Sequence, residues 1–314
     1  MLTCKSPRKV MIYAHELAQR CLPKHSSKFS RKDYTLPQLF ACLVVREHQK
    51  KSYRGIEALL CDSEHWCKRI GMNRVPDHNT LCRAFHAILE RSNVQELMAM
   101  LTRWMVLDQS LGKTCAIDST LYDTHHRSRH YEQRCRHYSS RNRNTANSRR
   151  SRSARRTPKL GLSVEIRTHL ILAARPRTGM GSDAADFLPL LRDSLRDHPR
   201  LKTALADAGY DSHENHAVAR RELNVRCLIP SLAGRPSDKP PSSRYRRAMR
   251  KKLGGSQRGK LYGQRAQVET VNSMMKRNLG DALRARTPEG RRKEQMLRAI
   301  THNLMIVLSR EDKD

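Results

Sequence analysis

The sequence predicts an α/β protein in two parts: an all-α segment over residues 1–110 and a layered domain of mixed strands and helices over 111–314. Three observations predict this. Apolar residues recur at helical spacing through residues 28–107. From Lys113 onward, short β-tolerant apolar runs replace that pattern. Those runs then alternate with helix-patterned stretches in the order three strands, helix, strand, helix, strand, helix, which is the signature of a sheet covered by helices.

In the leading segment, Leu36, Leu39, Phe40, Leu43 and Val44 share one helical face, and Pro37 suits a first turn. A second short helix is expected over 53–60 with Ser52 as its cap. A third is expected over 80–89, with Leu81, Phe85, Ile88 and Leu89 on one face and Asp77 or Asn79 at its start. A fourth covers 95–107. Short helices carrying basic side chains fit a helix-turn-helix unit, and they fit a plain helical bundle equally well.

In the second part, residues 114–122 read as a buried strand, and 160–167 and 170–175 as two more. Asp186 is placed to cap a helix through Leu190, Leu191 and Leu195, with Pro189 in its first turn. Residues 203–207 form a strand, 212–223 a helix with Ser212 as cap, and 225–229 a last strand stopped by Pro230. Helices follow over 262–280 and 288–309. Two stretches lack any apolar period. Residues 125–159 hold twelve Lys and Arg against one acid, Glu132, and read as a flexible basic arm. Residues 231–261 hold ten Lys and Arg against one Asp and read as a basic linker.

Lys and Arg total 62 against 30 Asp and Glu, a formal net charge of +32. Such an excess repels itself unless a polyanion neutralises it, and the usual polyanion is nucleic acid. An RNA-binding protein is disfavoured, because only 5% of residues are aromatic and stacking platforms are therefore scarce. No apolar run approaches the roughly 20 residues that span a bilayer, and the first residues lack the apolar stretch of a secretory signal. The nine cysteines include no CxxC pair, and Cys61, His65 and Cys67 lack a second pair of ligands. Reduced thiols in a cytoplasmic protein are expected.

Asp118 lies inside an apolar strand run, where a charge is costly unless it is paired or binds metal. Asp207 ends a second such run. Two carboxylates delivered this way suit a hard divalent cation. Residues 262–280, placed on one helix, put Tyr262, Arg265, Glu269 and Lys276 within a sector of about 60°, beside an apolar face of Val268, Val271, Met274, Met275 and Leu279.

The four polar residues fit the spacing Y-x2-R-x3-E-x6-K. With Ala116-Ile117-Asp118-Ser119-Thr120 and Ala206-Asp207-Ala208-Gly209-Tyr210-Asp211-Ser212 ahead of them in order, the chain resembles the DDE transposases of bacterial insertion sequences, in the branch with the YREK signature. Val75-Pro76-Asp77-His78-Asn79-Thr80-Leu81 is similar to the leading domain of that family. The resemblance implies an RNase H-like catalytic domain. It implies that Asp118, Asp207 and Glu269 hold two Mg²⁺ or Mn²⁺ ions, and that Tyr262, Arg265 and Lys276 contact phosphate beside them. It implies nicking at element ends and strand transfer into target DNA by a homodimer assembled on the terminal inverted repeats, in the nucleoid. The stretch from Pro230 to Tyr262 is too short for the β-rich insertion some members carry there. A metal nuclease that cuts without joining shares the three acids, and a derivative that only binds DNA would keep the basic surface.

Overall fold

The structure, a computed structural model, describes residues 3–29, 31–126, 157–179, 181–231, 243–253 and 259–311. Most of the expected basic arm, residues 127–156, lies outside the described residues, as do 232–242 and 254–258 of the expected linker.

Six helices lead the chain. The first, α1 (Pro7–Cys21), has Ser6 as its cap and buries Val10, Met11, Ala14, Leu17 and Ala18 as one stripe. This helix lies ahead of the helical apolar pattern that starts at residue 28. In α2 (Leu36–His48), Thr35 and Gln38 close a reciprocal capping box at 3.3 and 2.9 Å. Residues Pro37 to His48 of α2 are all buried, so it is the centre of the bundle. Then come α3 (Tyr53–Asp62), capped by Ser52, the unforeseen α4 (Glu64–Arg69), α5 (His78–Ile88), capped by Asp77, and α6 (Arg91–Leu107).

The second part is built on β1 (Thr114–Leu121), the two-residue β2 (Asp123–Thr124), β3 (Lys159–Glu165) and β4 (Ile171–Arg177). Next are α7 (Ala184–Asp197), β5 (Thr203–Ala206), α8 (His213–Arg221) and β6 (Arg226–Leu228). The described elements end with α9 (Arg244–Leu253), α10 (Lys260–Gly263), α11 (Ala266–Leu279), β7 (Ala282–Leu283) and α12 (Pro288–Glu311). The main sheet has the order β4-β3-β1-β5-β6. β1 pairs antiparallel with β3 and parallel with β5, so it is the seam between the two halves. The architecture is a mixed sheet flanked by helices behind a helical N-terminal part, as expected of an RNase H-like chain.

The strand pattern explains why both faces are covered. Every residue of β3 is buried. A Cβ on Gly161 would meet Leu190 of α7 at 3.2 Å, and the Ser194 hydroxyl of α7 bonds to that of Ser163 at 2.8 Å. The odd-numbered residues of β3 therefore face α7. The even-numbered ones face the other way, where α11 packs on β1 and β3. On the edge strand β4, the Asn303 side chain of α12 takes the Ile171 N–H and donates to the Ile171 carbonyl, both at 2.8 Å. One amide thus replaces a missing strand partner.

Three expectations need correction. Asp186 does not cap α7. The residue before the helix is Asp183, and Asp186 is buried inside it, paired with Arg177 at 2.6 Å. Pro189 accordingly stands beyond the first turn. Residues 244–253 of the expected linker are helical, because Tyr245, Met249 and Leu253 form a stripe that buries. The single helix expected over 262–280 is broken at Gln264 and Arg265 by i→i+3 bonds.

Candidate active site

β1 carries Asp118 opposite Leu162, on the α11 face of the sheet. β5 runs parallel to β1, so its end delivers Asp207 to the same end of the sheet. There Asp207 opens a 3₁₀ turn over Ala208–Tyr210, and its carboxylate accepts the Gly209 N–H at 2.9 Å. A Cβ at Gly209 would meet that carboxylate at 3.1 Å, so glycine lets the turn close tightly. Glu269 is on the first turn of α11, which packs on β1. Burial pushes the Asp118 carboxyl up to about 6. Asp207 and Glu269 add to the rise, while the Ser119 N–H and Arg265 oppose it. The charges of the other two expected acids thus reach Asp118.

The remaining expected residues are placed differently from the single-helix projection. Arg265 pairs with Glu269 at 2.6 Å, and this exposed carboxylate is otherwise turned to solvent. Tyr262 is only 6% exposed, and its hydroxyl donates to the carbonyl of Ala206 at 3.3 Å, next to Asp207. It braces the second acid's backbone instead of reaching outward. Lys276, two turns beyond Glu269, lies over the Tyr122 ring at 5.7 Å, with Arg298 over the same ring at 5.4 Å.

Sequence reasoning missed the groups that frame the acids. On the α7 face, the Ser119 hydroxyl donates to Asp183 at 2.7 Å, and Lys159 pairs with Asp183 at 2.6 Å. Tyr210 is fully buried, and burial followed by the charges of Asp183 and Asp118 holds its phenol well above the ordinary range. Asp211, also buried, pairs with Arg246 of α9 at 2.7 Å. The available signal was position: Ser119 and Asp211 sit inside the two quoted Asp motifs.

Among the described residues, no three His, Cys, Asp or Glu side chains stand close enough to share one ion. The donor chemistry nevertheless fits a divalent metal. All three donors are carboxylates, which suit hard cations, and the Asp118 carboxyl is raised by burial first and by the charges of Asp207 and Glu269 after it. Arg265 supplies the countercharge to Glu269 here.

No helix among the described residues is long and apolar enough to cross a membrane. Comparison with curated proteins gives no match to the chain. Comparison with protein families gives one whose description is "Transposase DDE domain", matching residues 109–304. That match begins just ahead of β1, ends within α12 and contains all three acids. The chain belongs to the family of transposases with a DDE domain.

Proposed function

We propose that the chain cuts DNA at the ends of an insertion sequence and joins the freed 3′ ends to target DNA. The observation that supports this reading is the raised Asp118 carboxyl on β1, which feels the charges of Asp207 after β5 and Glu269 on α11. Asp118, Asp207 and Glu269 would hold two Mg²⁺ or Mn²⁺ ions, which when bound supply charge neutralisation and a nucleophile of lowered pKa. Arg265, released from Glu269, would hold a phosphate oxygen by charge-assisted hydrogen bonds, and Lys276 would hold a neighbouring phosphate. Tyr262 keeps the backbone ahead of Asp207 in place. Water attacks phosphorus in line and the 3′ oxygen of the element leaves as a hydroxyl; that 3′ hydroxyl then attacks a target phosphate, and the target strand's own 3′ oxygen leaves with the proton. No covalent link to the protein forms. The partners would be duplex DNA, as terminal repeats and as target, and a second copy of the chain when two ends are held together. Such work belongs in the cytoplasm at the nucleoid.

The test is a cleavage and strand-transfer assay on DNA carrying the flanking element ends, with Mg²⁺ or Mn²⁺, comparing wild type with Asp118→Ala. Metal-dependent nicking and joining that disappear in the variant are expected. Nicking without joining identifies a nuclease. Tight DNA binding with no cleavage by either protein identifies a derivative that only binds.

A further inference from the structure

Helix α9 has a sequence that works against its own formation. It carries six cations and no acid in ten residues. Arg246 and Arg250, and likewise Arg247 and Lys251, are like charges at i,i+4, which destabilise a helix. A helix this short is marginal alone. It holds because Tyr245, Met249 and Leu253 bury against α8, and because Arg246 pairs with Asp211.

At the junction, positive charge is concentrated. The guanidiniums of Arg244, Arg220 and Arg221 lie 4.7, 5.3 and 5.8 Å from the centre of the Tyr245 ring. Arg244 and Arg221 both donate to its hydroxyl, at 2.8 and 2.9 Å. At about 100° per residue, Arg244, Arg247, Arg250 and Lys251 fall within one sector of about 120°, opposite the buried stripe. Arg247, Arg250 and Lys251 are exposed, and among the described residues none of them has an acidic partner. Arg246 ties this helix to Asp211, the residue that closes the turn opened by Asp207. The basic face thus stands at the active-site end of β5.

We propose that the outer face of α9, with Arg220 and Arg221 of α8, is a docking surface for the sugar–phosphate backbone of duplex DNA, gripping the strand beside the acids without reading its sequence. The proposal rests on the transposase reading. Charge complementarity supports it: the four face residues span about 10 Å of helix, and a duplex offers roughly one phosphate per 1.7 Å of its axis. Arginine can pair with guanine edges as well as with phosphate, so equal loss of affinity on two unrelated duplexes is what assigns this face to the backbone.

The test measures the dissociation constant of the full chain for a duplex with an element end and for a generic duplex, over a range of salt. The variant is Arg247→Gln/Arg250→Gln/Lys251→Gln. The control is Lys113→Gln/Arg200→Gln/Lys202→Gln, three exposed cations at the opposite end of the sheet. The α9 variant should lose affinity equally on both duplexes, and its log–log salt slope should shrink by about 0.9 per contact removed. The control slope should stay near wild type. The α9 variant's melting temperature should hold or rise, because like-charge pairs are removed. A wild-type slope in the α9 variant overturns this surface while leaving the transposase reading intact. Weakened binding to structured RNA with unchanged DNA binding assigns the face to RNA and overturns it too. A wild-type chain that binds no DNA overturns the transposase reading itself.

Discussion

Asp118 holds a proton more tightly in the fold than in the unfolded chain, because burial first, and the acids around it next, oppose its ionisation. The folded state therefore binds more protons between the ordinary carboxylate value of 3.8 and about 6, and metal-free stability falls as pH rises through that window. At roughly 1.4 kcal/mol per pKa unit, the carboxylate opposes folding by up to about 3 kcal/mol above the window. Asp118→Asn should then melt higher than wild type at pH 8 in a chelator, with the gap closing as pH falls below 4; equal melting at pH 8 would contradict this. Glu269 differs, being exposed and paired with Arg265. Glu269→Gln should abolish cleavage while DNA affinity stays within about threefold, and a binding assay showing a large loss would remove it from the metal site. Both Asp residues stood out in the sequence because a charge in an apolar strand run is costly unless it is paired or binds metal. The surroundings of Tyr262 were not, because a helical projection carries no sign that the helix breaks at Gln264.

At the level of elements, legibility followed the number of apolar residues each one buries. α2 announced itself through its apolar face and Pro37, and α5 through its apolar face and a capping residue. α9 buries only three residues, so its sequence reads as a charged linker. α4 is six residues long with no side-chain cap, leaving little signal. α1 carried a readable stripe that its surrounding Lys and Arg obscured. The end of α11 depends on a single residue: Gly280 has φ of 101° and ψ of 151°, a backbone conformation open essentially to glycine. Its carbonyl accepts from Arg298 at 2.7 Å. Gly280→Ala should cost about 1–3 kcal/mol in a denaturant titration, because a Cβ is strained there whatever the space. A loss near zero would mean that the turn relaxes.

The whole molecule shows two patterns of secondary structure but one core. Buried apolar residues run without a break from α1 and α2 through the sheet to α12. At the join, Arg298 of α12 is fully buried and reaches Glu47 of α2 at 3.3 Å and Glu294 at 2.8 Å. Arg46 pairs with Glu47 at 2.6 Å, and Arg284 approaches it at 3.5 Å. Removing one member of such a group strands the others without water. Glu47→Gln should therefore destabilise the chain by about 3–5 kcal/mol, read as a lower denaturation midpoint. A chain lacking residues 1–110 should fail to give a cooperative melt, whereas a folded fragment would show that the second part stands alone. The sequence separated the two halves by texture and could not foresee this join, because Glu47 and Arg298 are 251 residues apart. That separation is also an interval of time. Chains grow at about 5–20 residues per second, so Glu47 waits roughly 10–50 s on the ribosome for its partner. Until Arg298 emerges that join cannot close, so a chain cut short before it lacks the ion pair that ties α2 to α12.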